Sequence, residues 1–319
     1  MKSVDNIFKE QIKFILESPE SSKSDDRTGT GTIKNPILPQ MVFDLRDGFP
    51  LLSLKKTSFN NIFHELKWFL MGDTNIKYLV DNKCNIWTDN AYDHYLKNTD
   101  FFVRPFTKQT WLSVIKDGVG SFGDLGPVYG AQWRNLKKPV FSHNVSSGSC
   151  FTFDKVDQIQ NVLDQINNNP SSRRIIVSAW NPVELDKMAL PPCHMQFQFL
   201  VHGDDMEKLS LVLYVRSNDW LLGAPYNIAS YALLLETFAA ITGKTACFLR
   251  YNVGDAHIYN NHIDGANVLL ERESKEMPTL SFKGGKDKYI GQKPWDMELD
   301  WFSLDNYDPH PILKLKMAV

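Results

Sequence analysis

From Cys193 to Arg216 the chain reads CHMQFQFLVHGDDMEKLSLVLYVR, and this stretch decides the fold. Met195, Phe197, Phe199 and Val201 alternate with His194, Gln196, Gln198 and Leu200, the period of a strand with one buried face. HGDDMEK is a polar turn, after which Leu209, Leu211, Leu213 and Val215 alternate again, so two strands form a hairpin that delivers Arg216 at its end. Downstream, the pattern predicts a long helix following Asn227 through Ile241, a strand through Phe248 and another helix after His257. Upstream, Val156, Ile159, Leu163 and Ile166 mark an amphipathic helix that NNNPSS ends before the apolar run Ile175-Ile176-Val177, which places Arg173 and Arg174 at a strand entrance. Phe59, Ile62, Phe63, Leu66, Phe69 and Leu70 form a wide helical stripe after Ser58, with the carboxylate of Glu65 at its edge. Val4, Phe8, Ile12 and Ile15 mark a first helix, and SPESSKSDDRTGTGT a flexible loop. Residues 91–122 and 135–153 are weakly periodic and are expected to be irregular surface elaborations of one domain spanning 1–319. Helices and strands mix without a βαβα rhythm, so the class is α+β, a large mixed β-sheet with helices packed on it.

Composition narrows the function. The 319 residues are 43% hydrophobic and carry a formal charge of -2, without the basic excess of a dedicated nucleic-acid binder. The four cysteines, Cys84, Cys150, Cys193 and Cys247, lie far apart, so neither a zinc site nor a disulfide framework is indicated. MKSVDNIFKEQ has no apolar core of a signal peptide, and a cytoplasmic location is expected.

The chemistry gathers around MALPPCHMQ at 188–196. Pro191-Pro192 fixes the direction of the chain and presents Cys193 at the start of an extended segment. Arginine forks suit phosphate oxygens, and Arg27, Arg173, Arg174 and Arg216 are expected to hold a phosphate and to bias Cys193 toward its reactive thiolate. The Gly-Thr-Gly after Arg27 lacks the lysine and spacing of a Walker loop. Glu65, on an apolar stripe, is expected to have a raised pKa.

DDRTGTGT, FPLLSLKKTSFNNIFHELKWFLMGDTNIKYL, GDLGPVYGAQWR, SSRRIIVSAWNPVELDKMALPPCHMQFQF, RSNDWLLGAPYNIASYALL, GDAHIYNNHID and YDPHPILKLKMAV, in that order along most of the chain, closely resemble the thymidylate synthases. The resemblance implies a homodimer whose sheets pack across the interface, with dUMP and 5,10-methylenetetrahydrofolate as substrates and no metal. It implies that Cys193 attacks C6 of the uracil, that Glu65 is the general acid/base, that Tyr129 lies near the C5 proton and that His194 backs the thiol. Arg27, Arg216 and Ser217 would bind the nucleotide phosphate, joined by Arg173 and Arg174 from the other subunit. His257 and Tyr259 would hold the ribose, and Asn227 would read the uracil edge, since an amide both donates and accepts. For the folate, Asp219 would hold the pterin, Ile86, Trp87, Leu190, Leu222 and Gly223 would line its site, Lys55 would meet the exposed glutamate tail, and Met317-Ala318-Val319 would close over both ligands. Val215, Thr88, Ala224 and Val253 depart from common family residues, and none removes a catalytic group. Asn218 and Val253 resemble the related nucleotide hydroxymethylases and keep open a dUMP hydroxymethylase, which adds water where a synthase adds hydride; a nucleotide- or RNA-binding regulatory protein on the same fold is a further alternative, because fold does not dictate function.

Overall fold

The computed structural model describes residues 2–26, 28–100, 102–144 and 148–317, with backbone alone at 142–144 and 148–151. In chain order its elements are α1 (Val4–Glu17), β1 (Ser22–Ser24), β2 (Thr32–Asn35), β3 (Met41–Asp44), α2 (Phe59–Met71), α3 (Lys77–Asp81), α4 (Thr88–Asn98), α5 (Lys108–Lys116), α6 (Tyr129–Asn135), β4 (Leu136–Asn144) and β5 (Gly148–Val156). They continue with α7 (Gln158–Asn168), β6 (Ile176–Ser178), β7 (His194–His202), β8 (Lys208–Asp219), α8 (Gly223–Ile241), β9 (Thr245–Tyr259), α9 (Ile263–Glu271), β10 (Thr279–Phe282) and β11 (Phe302–Asp305).

The expected hairpin is β7–β8, and it forms the middle of a seven-stranded sheet ordered β1-β2-β9-β8-β7-β6, with β3 also paired to β9. All neighbours are antiparallel except β8 and β9, which run parallel because α8 carries the chain back between them. Sixteen residues of α8 are buried, so it is apolar all round, a helix built for the interior. It packs on β8, β9 and α2, and the inward residues Leu211, Leu213, Leu249 and Tyr251 are fully buried beneath it. The opposite face of the sheet is less covered: Ile176 is 42% exposed and Tyr214 40%.

The structure corrects several boundaries. The SPESSKSDDRTGTGT loop contains β1, whose Ser22, Lys23 and Ser24 pair with β2 through the backbone alone and so leave no apolar alternation. The helix expected from Val156 begins at Gln158, where the Asp157 side chain accepts the Gln160 N–H at 3.0 Å and Val156 ends β5. α8 starts at Gly223, one turn before Asn227, and β9 runs past Phe248 to Tyr259. The segments expected to be irregular carry regular structure: 91–122 holds most of α4 and all of α5, and within 135–153 the residues 136–144 and 148–153 belong to the paired strands β4 and β5. Among the described residues no helix is long and apolar enough to cross a membrane.

Candidate active site

Because β8 and β9 are parallel, their C-terminal ends finish side by side, with Ser217 opposite Asp255 and Asp219 opposite His257. α8 begins at the same end, so one edge of the sheet gathers Arg216, Ser217, Asp219, Asn227, His257 and Tyr259. β7, antiparallel to β8, starts there, and His194 pairs with Val215. The register then shifts between His194 and Gln196, a bulge that turns His194 inward to share the buried side with Phe197.

Cys193 is held from both sides. Its own N–H and that of His194 donate to Tyr129 Oη at 2.7 and 3.2 Å, and Tyr129 is buried at the start of α6 with its ring 4.7 Å from that of Phe69. Arg216 donates its backbone N–H to the Cys193 carbonyl at 2.9 Å. Its Nε donates to the Pro192 carbonyl at 2.9 Å and its Nη2 to that of Pro191 at 3.0 Å, which leaves Nη2 3.8 Å from Sγ. The Pro-Pro turn is therefore fixed by the same guanidinium that faces the thiol. The expected thiolate bias is outweighed: burial pushes the Cys193 thiol up, and Arg216 lowers it by less. Among the described residues, Arg216 is the arginine whose charge acts on the thiol, and Arg173 and Arg174 are exposed at the entrance to β6.

Glu65 lies inside α2, which the Ser58 side chain starts by accepting the Asn61 N–H at 3.2 Å and which Gly72 ends in the left-handed region. It is 6% exposed, and the indole N–H of Trp87 donates to its Oε1 at 2.8 Å. Burial raises its pKa to about 7, with the Trp87 hydrogen bond pulling the other way. This agrees with the expected direction. Trp87, read from the sequence as an apolar wall, is also the hydrogen-bond partner of Glu65.

Asn227 lies in the second turn of α8, close enough to both His194 and Tyr251 to act on them electrostatically. Burial lowers the His194 pKa to about 4, so the imidazole is neutral near neutral pH. Tyr251 donates its hydroxyl to Asn218 Oδ1 at 2.7 Å. Neither Tyr251 nor Asn218 stands among the expected site residues. The signal available was a tyrosine on an inward strand position, whose hydroxyl needs a partner when buried.

Asp219 accepts the N–H groups of Leu221 and Leu222 on Oδ1 at 3.0 and 3.1 Å, fixing the approach to α8. Lys55, expected as a cation for an exposed carboxylate, is instead buried, with Nζ donating to the Leu221 carbonyl at 2.5 Å. Burial lowers its pKa to about 8 against the pull of Asp219. His257 Nδ1 lies 2.8 Å from Asp255 Oδ1, and the Tyr259 ring stands edge-on to His257 at 5.3 Å. Ile86 and Leu190 are partly buried against the core, and Leu222 and Gly223 are half-buried at the start of α8.

Arg27, Ala318 and Val319 lie outside the described residues. The tail before them is docked: His262 Nε2 pairs with the Lys316 carbonyl at 2.8 Å, and a Cβ at Gly265 would stand 2.7 Å from Leu315 Cδ2. No group of metal-ligating side chains occurs among the described residues. A cavity of about 650 Å³ lies in the 91–122 region, lined by His94, Tyr95, Phe106 and Phe122 among others, and none of the expected site residues lines it.

The thymidylate synthase family model matches residues 6–319 of this chain. The thymidylate synthase of Malacoplasma penetrans (strain HF-2) is 41% identical to it over 314 residues, covering 98% of this chain and 99% of that protein.

Proposed function

The chain belongs to the thymidylate synthase family, and from that premise we propose the part each side chain plays in the reductive methylation of dUMP to dTMP. Methylenetetrahydrofolate supplies both the one-carbon unit and the hydride. Sγ of Cys193 bonds to C6 of the uracil, and the C5–C6 electron pair moves toward C5 and O4. The resting thiol is protonated, so attack needs its proton lost. The Arg216 guanidinium 3.8 Å away stabilises the thiolate that forms. Glu65, with a pKa of about 7, is suited to give and take a proton near O4 at neutral pH. Burial holds Tyr129 well above the usual phenol range, so it acts as a neutral hydroxyl beside the C5 proton.

Arg216 uses Nε and Nη2 on the proline carbonyls, and its Nη1, which makes no hydrogen bond among the described residues, is left to the nucleotide phosphate with Ser217 and Arg27. His257 and Tyr259 take the ribose. Asn227 takes O4 and N3–H of the uracil. Residues Ile86, Trp87, Leu190, Leu222 and Gly223 and the tail at Val319 border the folate. Asp219 fits the pterin because only its Oδ1 is taken up by the Leu221 and Leu222 amides, which leaves Oδ2 to accept ring N–H groups. Lys55 fits the start of α8 and the Asp219 charge better than a flexible tail.

A second copy of the chain covers the face of the sheet bearing Ile176 and Tyr214 and receives Arg173 and Arg174 in its own site. The reaction needs a free thiol, and Cys84, Cys193 and Cys247 are all unpaired, which suits a cytoplasmic location. The observation that carries the reading is the clamp on Cys193, with Tyr129 on its amide and Arg216 on its turn. Product mass after incubation with dUMP and methylenetetrahydrofolate tests it. dTMP is expected; a product heavier by oxygen indicates the hydroxymethylase, and no product with salt-dependent RNA binding indicates the regulatory protein.

A further inference from the structure

The segment between β6 and β7, residues 179–193, carries the Pro-Pro turn and Cys193, yet its only regular element is one turn of 3-10 helix at Leu185–Lys187. Its place therefore depends on side-chain contacts, and Glu184 makes the charged one: it is buried, and Gln132 on α6 donates Nε2 to its Oε2 at 2.9 Å. The same Nε2 donates to the Pro127 carbonyl at 2.9 Å. Asn181 Nδ2 lies 3.2 Å from both Glu184 Oε2 and Gln132 Oε1, so Gln132, Asn181 and Glu184 close a ring of hydrogen bonds. Lys137 approaches the other carboxylate oxygen at 3.6 Å from the surface. α6 is itself fastened, because Gln158 Nε2 donates to the carbonyls of Gln132 and Ser178, both at 2.8 Å, and ties the helix to the end of β6. A second contact runs beside the first. Ala189 donates to the Leu125 carbonyl at 2.8 Å, and Gly126, in the left-handed region at φ +72°... has no room for a Cβ against the Lys187 carbonyl.

We infer that Glu184 is a positioning residue for the reaction: it locks the 179–193 segment onto α6 and so sets Tyr129 Oη against the amides of Cys193 and His194. The inference rests on the reading of Cys193 as the nucleophile and of Tyr129 as its support. Tyr129 opens α6 three residues before Gln132, so its hydroxyl keeps its distance from Cys193 only while helix and segment are fixed to each other. The hydroxyl oxygen receives two successive N–H groups, at 2.7 and 3.2 Å, and a slip of about 1 Å carries the longer contact out of hydrogen-bond reach. The bond at Ala189 is a single point about which the segment can pivot; Glu184 supplies the second. Without its carboxylate, N–H groups of Gln132 and Asn181 lose a buried acceptor, a cost that drives the segment to rearrange. Arg216 keeps its own hold on the Pro191 and Pro192 carbonyls, and the other groups proposed for the nucleotide, Ser217, Asn227, His257 and Tyr259, lie on β8, α8 and β9. Glu184 thus bears on turnover through Tyr129 and not on dUMP binding.

The test is a double-mutant cycle on the whole protein, with kcat for dTMP formation, the dUMP dissociation constant and the melting temperature measured for each variant. Glu184→Ala is expected to lower kcat about 30-fold, since a misplacement of an ångström or less costs up to roughly 100-fold, and to leave the dUMP dissociation constant within about twofold. Glu184→Gln is expected to stay within about threefold of wild type. Its amide oxygen accepts the Gln132 and Asn181 N–H groups, and its NH2 faces the exposed Lys137, which swings away. In a Tyr129→Phe background, which has no hydroxyl for the two amides, Glu184→Ala is expected to cost less than about threefold further. A role in folding alone would multiply the two losses in full; that result, or wild-type kcat in Glu184→Ala, overturns the inference. If Glu184→Ala does not fold, Gln132→Met removes the amide while filling its place and is expected to show the same dependence on Tyr129. An equal loss from Gln132→Met in both backgrounds overturns the inference. Tyr129→Phe with wild-type kcat removes the underlying reading of Tyr129, whereas a large Tyr129→Phe loss beside a fully active Glu184→Ala removes only the role of Glu184.

Discussion

Arg216 and the Arg173–Arg174 pair differ in how much of their surroundings their own chain supplies. Arg216 is fixed at the end of β8 by the carbonyls of Pro191 and Pro192, with the Trp180 ring 5.6 Å from its guanidinium. Arg173 and Arg174 stand exposed before β6, and no carboxylate of the described residues pairs with either guanidinium. Their backbones are nonetheless anchored, since Gln198 donates to the Arg173 carbonyl at 3.1 Å. One region is organised within a single chain. The other offers exposed cations on a firm backbone.

The largest effect should fall on the organised side. Cys193→Ala is expected to cut turnover by about 10⁴-fold or more while leaving dUMP binding measurable, as removal of a nucleophile spares the binding contacts. Cys84→Ala and Cys247→Ala should keep turnover in the same assay, and loss in either would reopen the assignment. Arg216→Lys should lower kcat/KM by about 100-fold, because a single ammonium cannot hold two carbonyls and a phosphate. Arg173→Lys keeps an exposed charge and should cost about tenfold or less. Equal losses in steady-state assays of the two variants would erase the contrast.

Subunit mixing addresses the exposed pair directly. Cys193→Ala and Arg174→Ala proteins, each inactive alone, should recover roughly a quarter of wild-type activity after exchange, since half the dimers are hybrids with one intact site. No recovery despite hybrids seen by native mass spectrometry would assign the arginines to their own chain.

The smallest effect is thermodynamic. Folding raises the Glu65 pKa from 4.5 to about 7, so between those values the folded chain keeps a proton that the unfolded chain has lost. Stability therefore falls as pH rises through that window, and the full penalty, about 3 kcal/mol, applies above it. Glu65→Gln should raise the melting temperature at pH 8, leave it nearly unchanged at pH 4, and remove the inflection near pH 7 from kcat/KM. A variant with equal shifts at both pH values would show that burial of the charge is not the cause.

The hairpin β7–β8 and helices α1 and α2 were legible in the sequence because each buries one face, which writes a period of 2 or 3.6 into consecutive residues. α5 was missed because Trp111 and Ile115 are its only buried side chains, too few to make a stripe. The β4–β5 ribbon was missed because it stands away from the main sheet as a two-stranded unit, with Phe153 65% exposed, and among its described side chains none is buried to impose alternation. The candidate site residues were legible as motifs, PPCH and RSND among them, because each motif is a short contiguous run.

By itself, then, the sequence determined which groups this chain owns and the family whose motifs they follow: the thiol at Cys193, the carboxylates at Glu65 and Asp219, the amide at Asn227 and the arginines around them. Tertiary structure decided what state those groups are in. Whether the Cys193 thiol rises or falls depends on burial against the charge of Arg216, 23 residues away, and Glu65 meets its partner Trp87 at a separation of 22. Lys55 turns inward to a carbonyl 166 residues downstream, and Tyr251 on β9 finds its hydroxyl partner in Asn218 on β8. Desolvation and hydrogen bonding are set by whatever folding brings within a few ångströms, and that neighbourhood is not written in the local order of residues.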